Sequence, residues 1–127
     1  MKALLIVAHG SRRVSSNDEV RDLAARVGEL AGGRFDRVQA AFLELAEPSI
    51  PDGIQACIDA GADEVVVMPY FLSAGRHVSE DIPAEVARKQ REHPQVTIRL
   101  ADHLGAQPGI VELVLAGAQA GDGEAKG

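Results

Sequence analysis

Val65-Val66-Val67-Met68 is a β-branched run with no polar break, and Pro69 follows it at once. A strand of that kind has no wet face, so it belongs inside a sheet covered on both sides. Pro69 cannot donate to a sheet ladder, which ends the strand and sends the chain out of the sheet. Gly75 loosens the loop that follows, and His77 lies beyond the carboxyl end of the buried strand. In open α/β sheets that edge is where ligands bind.

The remaining chain supplies the partners such a strand needs. Ala3 to Ala8 is another uninterrupted apolar run, ending at His9-Gly10-Ser11-Arg12-Arg13. Ser16 and Glu19 have capping-box spacing, and Val20, Leu23, Ala24, Val27 and Leu30 continue at helical intervals to Gly32-Gly33. Phe35 to Leu43 carries a second strand that ends at Glu44. Pro48 suits the first turn of the next helix, whose buried stripe is Ile50, Ile54, Cys57 and Ile58, closed by Gly61. After His77 a helix is expected from about Ser79 to Glu92. Val96, Ile98 and Leu100 then alternate as an edge strand ending at Asp102-His103. Pro108 opens a last helix that fades near Gly117.

Strands alternating with helices imply a parallel sheet with helices on both faces. The expectation is an α/β fold: one doubly wound, four-stranded parallel sheet in the order 2-1-3-4, over residues 1–117. The small and polar residues 118–127 are expected to be a disordered tail. At 127 residues such a domain buries enough surface to need no disulfide, and Cys57 has no partner in the chain. A single unpaired cysteine and no signal peptide fit a cytoplasmic setting. Ala3 to Ala8 is too short to span a membrane. The net charge of −6 argues against a nucleic-acid partner, which would want a basic face.

In a parallel sheet every carboxyl strand end lies on one side. His9, Glu44, the loop to His77, and His103 therefore all head for the same edge. Alone, each histidine reads as a loop residue bonded to backbone, and Glu44 as a surface carboxylate. Their convergence makes them a donor set suited to a divalent metal. Several other chemistries lack their motifs: there is no Gly-x-Gly-x-x-Gly, P-loop, Cys-x-x-Cys, His-Glu-x-x-His or Gly-x-Ser-x-Gly.

Three stretches, in order, resemble the class II tetrapyrrole chelatases, and most closely the short sirohydrochlorin chelatases of the CbiX/SirB type. They are Ala8-His9-Gly10-Ser11-Arg12, Ala41-Phe42-Leu43-Glu44 with Pro48-Ser49, and Met68 through Val78 with Asp81-Ile82-Pro83. The resemblance implies a flavodoxin-like, chelatase-type half domain that pairs as a homodimer. It also implies insertion of Co²⁺, Fe²⁺ or Ni²⁺ into sirohydrochlorin, toward cobalamin or sirohaem. His9, Glu44 and His77 match the family's metal and catalytic positions, and Ser11, Arg12, Arg76 and Tyr70 are expected to contact the substrate. The metal is then a substrate, and no organic cofactor is expected.

The chemistry agrees with that reading. Imidazole and carboxylate bind these metals exchangeably, whereas thiolates would hold softer metals hard. Neutral imidazole can also accept a pyrrole proton. Arg12, Arg13 and Arg76, beside the motif histidines, could pair the substrate's carboxylates; the alternative is that they are solvated loop charges, and for Arg13 that alternative is at least as strong. Two rivals stay open at this level. One is a metal-binding or metal-delivery module without chelatase activity, and the other is an α/β interaction domain whose histidines are incidental.

Overall fold

The computed structural model describes residues 1–122 and has the expected alternation. Its strands are β1 (Lys2–Ala8), β2 (Arg37–Phe42), β3 (Glu64–Pro69) and β4 (Thr97–Leu100). Its helices are α1 (Val14–Ala31), α2 (Ile50–Asp59), α3 (Ile82–Glu92) and α4 (Ile110–Asp122). The sheet order is β2-β1-β3-β4, and every pairing is parallel. β1 and β3 are the inner strands, which is why their apolar runs are unbroken. The alternating β4 lies at an edge, as its pattern required.

The pleat divides the core in two. Ala3, Leu5 and Val7 of β1 join Val65 and Val67 of β3 against Ile54 and Cys57 of α2 and Ile82 and Val86 of α3. Leu4, Ile6 and Ala8 point the other way with Val66, toward Ala24 of α1 and Phe42. α4 belongs to neither cluster, and Val111, Leu113, Val114 and Leu115 are all more than half exposed.

Element ends differ from expectation where capping chemistry was misassigned. α1 begins at Val14, so Ser16 and Glu19 lie inside the helix rather than forming its capping box. The Ser11 hydroxyl instead accepts from the Arg13 N–H (3.0 Å) just ahead of that helix. α2 is capped by Ser49, whose side chain accepts from Asp52 N–H at 3.2 Å, so Pro48 precedes the helix and Pro51 occupies its first turn. α4 starts at Ile110 and continues to Asp122 instead of fading near Gly117. Ala118 and Ala120 help to explain the extension, since alanine is the strongest helix former. The rest of the expected disordered tail, 123–127, lies outside the described residues.

Candidate active site

Three strand exits meet at the carboxyl edge. His9 follows β1 directly, and Gly10 turns the chain with φ 96°. A Cβ on Gly10 would collide with the Glu44 carbonyl oxygen, so only glycine lets the two loops come this close. The Glu44 N–H donates to the His9 carbonyl (3.1 Å), and the Leu43 N–H donates to that of Ala8 (3.0 Å). These bonds carry the β1–β2 pairing past the strand ends and hold His9 and Glu44 side by side. Leu45, next in the chain, has a left-handed φ of 63°. That conformation is costly for a branched residue and marks how sharply the chain turns away after Glu44.

The His9 Nε2 lies 3.8 Å from the Glu44 Oε2. Two donors on one ion, each about 2.1 Å from it, stand roughly 3–3.4 Å apart, so the pair is within a small side-chain adjustment of joint ligation. The His9 and His77 rings are 5.0 Å apart, centroid to centroid, and meet edge to face at 71°. All three side chains are about half exposed and open to an incoming ligand. Among the described residues, no three His, Cys, Asp or Glu side chains are already closed into a metal-binding group.

His77 is carried by a feature not anticipated from sequence. Residues His77–Asp81 form a single π turn, in which the Ile82 N–H donates to the His77 carbonyl, and α3 continues from it. The helix therefore begins two residues earlier than expected. Pro83 gives a physical reason for the wide turn, because it has no N–H to offer the Ser79 carbonyl. The His77 Nδ1 contacts the Asp81 Oδ2 at 2.7 Å.

The expected substrate contacts are distributed less tightly. Ser11 adjoins His9, and both of its backbone groups are taken by the buried Asn17. The Ser11 N–H donates to Asn17 Oδ1 (2.9 Å), and the Asn17 Nδ2 donates to the Ser11 carbonyl (2.8 Å). Arg12 is exposed at the same loop. Arg76 is exposed as well, with Nε 3.6 Å from Glu80 Oε2 one turn along its own segment. Tyr70 turns to the α1 face, where it lines a hollow of about 380 Å³ with Met68, Leu104 and Leu113. His103 precedes a 3-10 turn, Leu104–Ala106, and has no hydrogen bond or ion pair to the three central residues among those described.

Two supports went unread in the sequence. Asn17 pins the loop after His9, yet it sits in a polar stretch that reads as a solvated helix start. Gly105 lets its turn rest on the loop after β3: its N–H donates to the Phe71 carbonyl (3.0 Å), and a Cβ there would strike the Leu72 carbonyl. Both are tertiary contacts with no local signature.

Comparison with known proteins finds relatives that span most of the chain. A chloroplastic sirohydrochlorin ferrochelatase from Arabidopsis thaliana is 37% identical over 111 residues, covering 87% of this chain and 48% of that protein. A sirohydrochlorin cobaltochelatase from Methanopyrus kandleri is 31% identical over 135 residues, covering 91% of this chain and 93% of that one. The solved structure of the sirohydrochlorin chelatase SirB from Bacillus subtilis subspecies spizizenii, in complex with cobalt, superposes with a TM-score of 0.70 at 30% identity. It covers 94% of this chain and 50% of SirB. The chain thus spans about half the length of some curated relatives and nearly all of others. The CbiX family profile matches residues 3–120, and the chain belongs to the CbiX family.

Proposed function

We propose that this protein inserts a divalent metal, Co²⁺, Fe²⁺ or Ni²⁺, into sirohydrochlorin, with His9, Glu44 and His77 as the residues that hold the metal and take the protons. The observation that carries this reading is the meeting of those three side chains at the carboxyl edge of a CbiX-family sheet. Insertion exchanges one M²⁺ for two pyrrole protons. A site able to do this needs donors that release the metal and a base close to the ring nitrogens. Two imidazoles and a carboxylate offer both, without a thiolate to trap the ion. Cys57, the only cysteine, lies on the buried face of α2, and burial pushes its thiol pKa up, so it takes no part.

In this reading Ser11, Arg12, Arg76 and Tyr70 contact the macrocycle, and the two arginines pair its carboxylates. Arg76 would exchange its exposed Glu80 partner for substrate. Such a surface pair is worth little in water, so the exchange costs little. The protein acts in the cytoplasm as a homodimer, and neither a membrane nor a nucleic acid is its partner. Support for pairing comes from α4, whose apolar side chains are left uncovered within one chain. Relatives twice as long carry a second stretch of comparable size, whereas the Methanopyrus enzyme does not.

The test is anaerobic absorbance spectroscopy with sirohydrochlorin and each of the three metals in turn. The expected result is a metal-dependent change in the tetrapyrrole spectrum, slowed about 10²–10⁴-fold by His77→Ala, the range for removing a positioned acid–base group. Stoichiometric Co²⁺ binding with no spectral change for any metal would favour a delivery module and overturn the enzyme reading.

A further inference from the structure

Asp81 has no place in the metal and proton chemistry described so far, yet it makes the shortest polar contact of any of the three central residues. Its Oδ2 is 2.7 Å from the His77 Nδ1, four residues back along the same π turn. An ionised carboxylate only accepts, so this contact requires the proton of neutral His77 to sit on Nδ1. The other nitrogen, Nε2, is then left with its lone pair. Of the two ring nitrogens it is the one free for the cleft, where the His9 and His77 ring centroids stand 5.0 Å apart.

We propose that Asp81 is a positioning residue: by accepting from the His77 Nδ1–H it fixes the tautomer and orientation of that ring and reserves Nε2 for metal or pyrrole. The proposal rests on the reading of His77 as a cleft residue and specifies which of its atoms works. Histidines that bind metals commonly donate their second N–H to a carboxylate, and loss of that partner typically costs 10–100-fold in metal affinity or activity. The π turn gives the arrangement a built character. Histidine and carboxylate lie on one short wide turn, held at its end by the Ile82 N–H to His77 carbonyl bond and followed by Pro83. Neither side chain is deeply buried, so the ring's orientation depends on this bond more than on packing around it.

The experiment has a readout that does not depend on catalysis. Nitrogen-15 NMR of the metal-free protein, at a pH where the ring is neutral, reports the His77 tautomer. Wild type is expected to show a protonated Nδ1 and a pyridine-type Nε2. Asp81→Ala should lose that bias and lower Co²⁺ affinity roughly 10–100-fold. Asp81→Asn keeps an oxygen that can accept from Nδ1–H, so it should retain the tautomer and recover most of the affinity. A wild-type His77 protonated on Nε2 would overturn the proposal. So would an unchanged tautomer and unchanged Co²⁺ affinity in Asp81→Ala. Asparagine and alanine variants equally weak for Co²⁺, both with the wild-type tautomer, would make Asp81 a ligand in its own right and also overturn it. If wild type inserts no metal into sirohydrochlorin, the enzyme reading fails while the tautomer and Co²⁺ results still decide this one.

Discussion

The two faces of the sheet are finished differently. Toward α2 and α3, Leu5, Val7, Val65 and Val67 are sealed under Ile54, Cys57 and Ile82, all fully buried. Toward α1 and α4 the cover is partial: α1 contributes Ala24, while Leu113 of α4 borders a hollow and remains 65% exposed. The candidate site draws on both faces. His77 and Asp81 arrive on the turn leading into α3, whereas the loop after His9 is pinned by Asn17 of α1. The sealed face therefore supplies stability and one wall of the site. The open face pins the loop after His9 and leaves apolar side chains of α4 exposed.

The sharpest way to break that division is Ile54→Ala. Ile54 is completely buried beside Leu5 and Val67. Truncation should cost about 2–5 kcal/mol through lost burial and a residual cavity, read as a lower urea midpoint. Its neighbour Cys57 gives an independent readout. Burial, the largest influence on its thiol, raises its pKa above the ordinary value and outweighs an opposing influence from Arg37. The native protein should therefore resist thiol reagents at neutral pH, and Ile54→Ala should speed labelling by populating open states. Rapid labelling of the wild type would show that the face is not sealed.

The two inner strands, which serve both faces, were the part most legible in the sequence. Buried strands leave a dense local record, and the unbroken runs Val65-Val66-Val67 and Ala3 to Ala8 mark the two that lie inside the sheet. Helix beginnings were read less well, because Ser16 and Glu19 imitate a capping box that the earlier start at Val14 makes redundant. At the edge, His9, Glu44 and His77 were readable as the residues after strand ends. Asn17 and Gly105 were not, since what they hold lies elsewhere in the chain or across a loop. Asp81 falls between these cases. An i, i+4 histidine–aspartate pair is visible in sequence, but a helix expected only from about Ser79 leaves His77 outside it and hides the π turn that joins the two.

Asn17→Ala tests whether the open face truly holds its half of the site. The change leaves the Ser11 N–H and carbonyl without their partners, at a cost of about 1–3 kcal/mol, less than that expected for Ile54→Ala. Its signature should be local: hydrogen exchange should quicken at Ser11, and Co²⁺ binding should weaken as His9 loses its fixed loop. Ile54→Ala, by contrast, should lower stability and leave the affinity of the folded fraction unchanged. Equal effects of both variants on affinity would mean that the two faces do not divide the work in this way.

The smallest effect on the single chain is expected from Val111→Gln combined with Leu115→Gln. The two residues lie one turn apart on α4, and both are well over half exposed. Exposed changes of this kind usually stay within about 0.5 kcal/mol, so dilute protein should unfold almost as wild type does. Association is where the variant should differ. If α4 is the surface that a second copy covers, sedimentation should find a wild-type dimer and a variant monomer. A wild type that stays monomeric at high concentration would remove the second copy as the covering body. A variant that still dimerises would move the interface off α4. The paired measurement separates two meanings of exposed apolar surface that one chain presents identically: a face left loose, and a face kept for a partner.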